Sequence, residues 1–318
     1  MAAYIVYRLI AAIPVLALVT LASFLLMRLV PGDPAMIIGG VSASDQEIAN
    51  IRAQLGLNEP FLVQIGNWYW KLLQGDLGQS FLLGRSVTQA FIERLPVTLS
   101  LTLFAFVLSA VLAIALGVAA ALNANSWIDQ AVMTTALVGV AVPNFWLGLM
   151  AIILFSVHLG VLPSGGYVPL SEDVLGWLRS CILPATSLAL LQIGLLARVT
   201  RSTTLEVLGQ DYIRTARAKG LSEALVIGKH ALKNVMVPVV TVLGISFSLL
   251  IGGSVVIETV FSVPGIGRLL GSAILRRDYP VIQGTLLFIA IKLMVINLVV
   301  DLLYAYIDPR VRYERGTR

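Results

Sequence analysis

Apolar runs of about 20 residues with few or no charges recur along the chain, the length a helix needs to cross a hydrocarbon core of about 30 Å. About six are expected to be membrane spans. The first lies between Arg8 and Arg28, the second runs from Val97 to Leu122, and the third from Ala131 to Val157. The fourth, Ile182 to Ala197, is the shortest; the fifth covers Val235 to Val256 and the sixth Val281 to Ile307. Pro143 falls inside the third and is expected to kink it, because proline lacks a donor and crowds the preceding turn. The first run is long and holds few small residues near its end, and Pro31-Gly32-Asp33-Pro34 follows it instead of a cleavage pattern. It is expected to remain as an anchor.

Basic residues orient these spans. Arg8 precedes the first, and Arg310, Arg312, Arg315 and Arg318 follow the last, so both termini are expected on the cytoplasmic side. An even number of spans agrees, and puts Arg201, Arg214, Arg217, Lys219, Lys229 and Lys233, between spans four and five, on that side too. The segment between Pro31 and Pro96 then lies outside, where Asp33, Asp45, Glu47, Glu59, Asp76 and Glu93 outnumber Arg52, Lys71, Arg85 and Arg94. Helix punctuation marks it as a small folded cap. Ser44 and Glu47 form a capping box ahead of the apolar face Ile48, Ile51 and Leu55, which stops at Gly56. Pro60 suits a first helical position before Phe61, Ile65, Trp68 and Leu72, and Gly75 ends that run. Ser86 and Gln89 are expected to start a third helix. The aromatic cluster Trp68, Tyr69 and Trp70 suits either packing on the membrane domain or contact with a partner. The chain thus divides into a tail and first span (1–30), an external helical cap (31–96) and a membrane core (97–318).

Composition narrows the class. Hydrophobic residues make up 58% and charged residues 12%, and the mean hydropathy is +0.91, leaving too little polar surface to clothe a soluble globule. The fold class is an all-α integral membrane protein. The net charge of +5 does not point to nucleic acid, because its Lys and Arg residues cluster beside apolar runs. The single cysteine, Cys181, has no internal partner and reads as a packing residue. His158 and His230 fall on opposite sides in this topology, so no metal pair is expected. Gly228-Lys229-His230 lacks the upstream glycine and the hydroxyl residue of a phosphate loop, so ATP hydrolysis is not expected on this chain. Phe261-Ser262-Val263-Pro264-Gly265-Ile266-Gly267 has no phosphate-binding lysine and reads as a tight turn at the membrane face.

One polar segment stands out. Asp211-Tyr212-Ile213-Arg214-Thr215-Ala216-Arg217-Ala218-Lys219-Gly220-Leu221 favours a helix through Ala, Arg and Lys, and Gly220 is placed to end it. A second helix is expected near Ser222, giving a compact knob within a loop at 201–234. Such an ordered polar segment between long apolar runs suits a docking surface. Glu258, Lys292 and Asp301 are ionisable groups in or near spans, where an unpaired charge costs about 3 kcal/mol on insertion scales. They either line a path with Asn297, or sit at interfaces and in structural ion pairs.

Further motifs carry a family resemblance: Pro31-Gly32-Asp33-Pro34, Gly56-Leu57-Asn58-Glu59-Pro60, Gly75-Asp76-Leu77-Gly78-Gln79-Ser80 and Pro143-Asn144-Phe145-Trp146-Leu147-Gly148. They continue with Leu162-Pro163-Ser164-Gly165-Gly166-Tyr167, Glu258-Thr259-Val260-Phe261, Pro264-Gly265-Ile266-Gly267, Arg277-Asp278-Tyr279-Pro280 and Asp308-Pro309-Arg310. In this order and over nearly the full length, the chain resembles permease subunits of dipeptide and oligopeptide ABC importers, in particular the first of two paired permeases. The resemblance implies a type I importer fold and a pore worked by alternating access. It implies a homologous second permease, two ATP-binding cassette ATPases and an extracytoplasmic solute-binding protein as partners, in a bacterial or archaeal inner membrane. No cofactor is then bound by this chain; ATP and Mg belong to the ATPases. Such permeases carry a Glu-Ala-Ala loop with a Gly four residues after the last Ala. Here Arg214-Thr215-Ala216 and Gly220 occupy that pattern, with Arg and Thr replacing Glu and Ala as in a peptide-importer variant. Asp211, Tyr212, Arg214, Thr215, Ala216, Arg217, Lys219, Gly220, Leu221 and Ser222 are thereby expected to face an ATPase. Glu258, Lys292 and Asn297 are the path residues to test, and Trp68, Tyr69, Trp70 and Asp76 the binding-protein contacts. Nickel complexes or glutathione are alternative cargoes within the class; an ion-coupled secondary transporter is the alternative from another class.

Overall fold

A computed structural model describes residues 2–29, 33–40, 43–54, 56–80 and 83–307. Thirteen helices run through these residues: α1 (Ala2–Leu29), α2 (Pro34–Gly39), α3 (Asp45–Gln54), α4 (Phe61–Leu73), α5 (Val87–Leu122), α6 (Trp127–Ala141), α7 (Asn144–Ala151), α8 (Val174–Leu208), α9 (Asp211–Ala218), α10 (Glu223–Leu225), α11 (Leu232–Val260), α12 (Ile266–Arg276) and α13 (Tyr279–Ile307). Two-residue strands, β1 (Gln79–Ser80) and β2 (Arg85–Ser86), pair antiparallel, Gln79 opposite Ser86. Among the described residues four helices are long and apolar enough to cross a membrane, five when the bent pair α6 and α7 counts as one span. Helix α1, of 28 residues, carries a shorter described apolar stretch, Ile10–Leu25. Together these occupy the six expected runs.

Several boundaries differ from the sequence expectation. Pro143 does more than kink the third span: α6 and α7 meet at 104°. The C-cap Val142 takes an extended conformation (φ −92°, ψ 130°), as the residue before a proline prefers. The fourth helix, expected to be the shortest, is 35 residues long. It runs straight through Arg198 and Arg201 because Arg201 is paired, so its charge does not mark a helix end. Pro96 ends nothing, since α5 spans 36 residues around it and the boundary expected there falls inside a helix. Pro60 is the N-cap of α4, not its first residue. A helix does begin directly after Ser86, at Val87, but it is the long α5, and Ser86 itself pairs with Gln79 in the two-residue ladder. The amphipathic helix α12 and the π-type turns at Ile152–His158 and Val226–Ala231 were not anticipated.

The described chain forms two compact units, Met1–Thr98 with Pro264–Val295, and Leu99–Val263 with Ile296–Arg318. In the first, the Ser44 box forms as expected: Glu47 accepts from the Ser44 backbone N–H at 2.8 Å, and the Glu47 N–H reaches Ser44 Oγ at 3.3 Å. Its apolar core joins the start of α5 to α12 and α13 through Val87, Phe91, Ile266, Leu269, Ala273 and Val281. Two family motifs meet beside it, Ser80 Oγ donating to Asp278 Oδ2 at 2.5 Å with both residues buried.

In the second unit α8 is central, its apolar window 67% buried. It tolerates polar residues because their hydroxyls bond their own helix: Ser187 to the Leu183 carbonyl at 2.8 Å and Thr204 to that of Thr200 at 2.6 Å. Helices α6 and α8 run antiparallel at close range, with small residues at the crossing. A Cβ added to Gly194 would lie 2.5 Å from the Ala136 carbonyl oxygen, and one on Gly139 3.1 Å from that of Leu190. Three more motifs converge on the buried ring and carbonyl of Phe261. Gly148 leaves room for the ring, a Cβ there falling 2.9 Å from Phe261 Cε2. Gly165 lies against the Phe261 carbonyl, to which the Gly166 N–H donates at 2.9 Å.

Candidate functional site

The polar segment between α8 and α11 folds as one knob. Gly209 and Gln210 end α8, and α9 follows with Asp211 in its first turn and Arg217 in its last, charges that complement the helix dipole. Ile213 and Ala216, three residues apart and so on one face, are buried with Val207, Val226, Ala231, Val235 and Val239. The opposite face, Asp211, Tyr212, Arg214, Thr215, Arg217, Ala218 and Lys219, is exposed. Gly220 reverses the chain at φ +79°, its N–H donating to the Arg217 carbonyl at 2.9 Å. The Leu221 N–H returns to the Ala216 carbonyl, and Ser222 takes the N-cap position of α10.

Side-chain bonds brace the knob. Arg217 grips Glu223 through Nε at 2.7 Å and Nη2 at 3.2 Å, linking α9 to α10 across the Gly220 turn. Tyr212 Oη accepts from Asn234 Nδ2 at 2.7 Å, tying α9 to the start of α11. Arg214 makes only the longer, exposed contact with Asp211 at 3.3 Å. All ten residues expected at a docking surface therefore belong to one feature. Ala216 faces its core, Leu221 is half-buried, and the other eight are exposed.

The other expected residues scatter. Glu258 is fully buried near the end of α11, with its carbonyl accepting the Val263 N–H at 2.8 Å. Lys292 is half-buried in α13, its ammonium 5.8 Å from the centre of the Phe288 ring, a cation–π distance. The side chains of Asn297 and Asp301, and the motif Asp308-Pro309-Arg310, lie outside the described residues, as do Pro31 and Gly32. The aromatic cluster splits. Trp68 meets Phe24 of α1 edge-on at 5.9 Å, and Tyr69 bonds Thr20 and the Ala17 carbonyl, so both pack α4 onto α1. Trp70 is 65% exposed. Asp76 is exposed and shapes its own turn, accepting the Gly78 N–H at 2.8 Å. No group of three or more His, Cys, Asp or Glu side chains that could hold a metal occurs among the described residues.

The apolar runs give no role to Asp129 and put its partner Arg201 in the loop after the fourth span, whereas Arg201 lies inside α8. Arg201 of α8 donates from Nε and Nη2 to the two Asp129 oxygens, each at 2.5 Å, and Asn125 adds a backbone N–H at 2.9 Å. Asp129 is 4% exposed. The signal was an acid just before an apolar run and an arginine inside the next helix, and only the antiparallel crossing makes them a pair.

A helical chain with several apolar spans, a helical segment after the first of them and a braced polar loop between α8 and α11 fits one class, the membrane component of a binding-protein-dependent ABC importer. The chain belongs to that family. Residues 113–313 match binding-protein-dependent transport system inner membrane components, and residues 1–102 match the N-terminal part of such membrane components. A putative peptide transport system permease protein of Brucella abortus is 57% identical over 99% of this chain and 100% of its own. A probable peptide ABC transporter permease of Sinorhizobium fredii is 46% identical over 98% and 100%. A glutathione transport system permease of Salmonella typhimurium is 44% identical over 98% and 99%. In fold, the chain is similar to an inward-facing MetNI methionine ABC transporter (TM-score 0.58, 18% identity), covering 69% of this chain and 97% of that one.

Proposed function

We propose that this chain is one of two paired permeases that form the pore of an ATP-driven peptide importer. Two separate ATPase subunits serve the permease pair from the cytoplasm, one of them docking on α9, Gly220 and α10, and a solute-binding protein docks from outside. The observation that carries this reading is the knob itself: a charged, exposed helix anchored by Ile213 and Ala216 between two long apolar helices. Both termini lie in the cytoplasm of a bacterial or archaeal cell, as the basic flanks require. This chain binds no cofactor, and ATP and Mg act on the ATPase subunits. Closure of those subunits moves α9, and the packed helices rock between outward-open and inward-open states. Peptides are the cargo suggested by the Brucella and Sinorhizobium relatives. Glutathione, itself a tripeptide derivative, is favoured second by the Salmonella relative. The test is purification from native membranes in mild detergent, followed by mass spectrometry, ATPase assay and ligand screening of the accompanying binding protein. A second permease and two ATPase subunits are expected. A lone stable chain that moves solute with an ion gradient would overturn the reading.

A further inference from the structure

The seam between α6 and α8 is built from small residues in antiparallel order, Gly139 against Leu190, then Ala136 against Gly194, then Asp129 against Arg201. Backbones this close gain contact, but glycine and alanine interdigitate shallowly and resist sliding weakly. The last step of the seam differs in kind. Arg201 holds both Asp129 oxygens in a bidentate fork, the most directional ion pair available to side chains. The same carboxylate takes the Asn125 N–H, and Ser126 caps α6 through the Asp129 N–H at 3.4 Å, so the turn before α6 is fixed as well. A buried ion pair contributes little net stability, because desolvation offsets attraction, but it can specify register.

Its place in the fold suggests what register serves. Arg201 lies two turns before the end of α8, and α9 begins ten residues beyond it. At the far end of the seam α6 stops at the Pro143 break, beyond which α7 places Gly148 against Phe261. We propose that Asp129 and Arg201 are positioning residues that lock α6 in register with α8. A displacement of α9 then reaches the Pro143 break instead of being lost as sliding along the small-residue seam. This rests on the reading that α9 receives its displacement from an ATPase.

The test uses the complete importer, with its paired permease, ATPases and binding protein, in proteoliposomes. Radiolabelled trialanine imported is measured per ATP hydrolysed for the wild type, Asp129→Asn, Arg201→Lys, Arg201→Gln and the Asp129→Asn/Arg201→Gln double variant. The single variants assemble and hydrolyse ATP, but solute per ATP falls several-fold, and the double variant is no worse than either single. Arg201→Lys keeps the charge and loses the fork, so it loses coupling too. Unchanged solute per ATP in Asp129→Asn and Arg201→Lys overturns the proposal. So does a fall of import and hydrolysis in equal proportion, or failure of Arg201→Lys to assemble, since the pair would then only hold the fold. Where the wild type hydrolyses ATP and carries no trialanine, stimulation of hydrolysis by the binding protein is read instead, with the same two expectations. Normal import by a Gly220→Pro complex would reject the α9 reading separately.

Discussion

Gly220 occupies the left-handed region at φ +79°, and an added Cβ would have nothing within 4 Å. Substitution there therefore acts through backbone strain, not collision. Gly220→Ala is expected to cost about 1–2 kcal/mol of local stability and to weaken import partly. Gly220→Pro, which needs a negative φ and deletes the bond to the Arg217 carbonyl, is expected to abolish ATP-driven import while membrane insertion is kept. Uptake beside membrane-fraction immunoblots checks both, and normal uptake by well-inserted Gly220→Pro would refute the docking role. Glu47 allows a test by pH. Bonds from the Ser44 backbone N–H and then its hydroxyl hold the Glu47 carboxyl below its ordinary value of 4.5. Its capping contribution is thus complete above that ordinary value and is lost as pH falls through the lower folded one. Hydrogen exchange across residues 44–54, corrected for intrinsic rates, should show less protection at the acid end, and Glu47→Gln should remove that dependence.

Among elements, the antiparallel pair α6 and α8 is the most sensitive to added volume. A Cβ on Gly194 would sit 2.5 Å from the Ala136 carbonyl oxygen, an atom that cannot move without shifting helix α6. Gly194→Ala is therefore expected to lower the melting temperature of the purified permease complex by several degrees, more than an alanine at the unobstructed Gly228. Helix α9 is sensitive in the opposite sense. Ile213 is fully buried, so Ile213→Ala leaves a void costing about 2–5 kcal/mol, enough to loosen the footing of the knob. Limited proteolysis should then cut between residues 209 and 222 with α8 and α11 intact. The same element logic explains where sequence reading erred. Charge and proline were taken to delimit spans, yet a paired Arg201 and a tolerated Pro96 lie inside helices, while Pro143, at a sharp turn, separates two.

At the scale of the whole molecule, this chain is the membrane component of a binding-protein-dependent importer, and the proposed cycle is one driven by ATP on other subunits. Depleting ATP with ion gradients intact is expected to stop uptake in cells, and collapsing the gradients with ATP maintained is expected to leave it. The reverse result would favour an ion-coupled carrier. The helical membrane class, the order of the apolar runs, the Ser44 capping box and the Arg214 to Gly220 knob were legible in the sequence. They depend on local rules: hydrocarbon thickness sets run length, cap chemistry sets helix starts, and glycine adopts the left-handed Gly220 turn at least cost. Tertiary structure decided the rest. That Trp68 and Tyr69 pack on α1, that Gly148, Gly165 and Phe261 meet, and that Asp129 finds Arg201 are facts of residues distant in the chain. Contacts of that kind depend on how helices cross, which no local pattern of apolar and polar positions encodes.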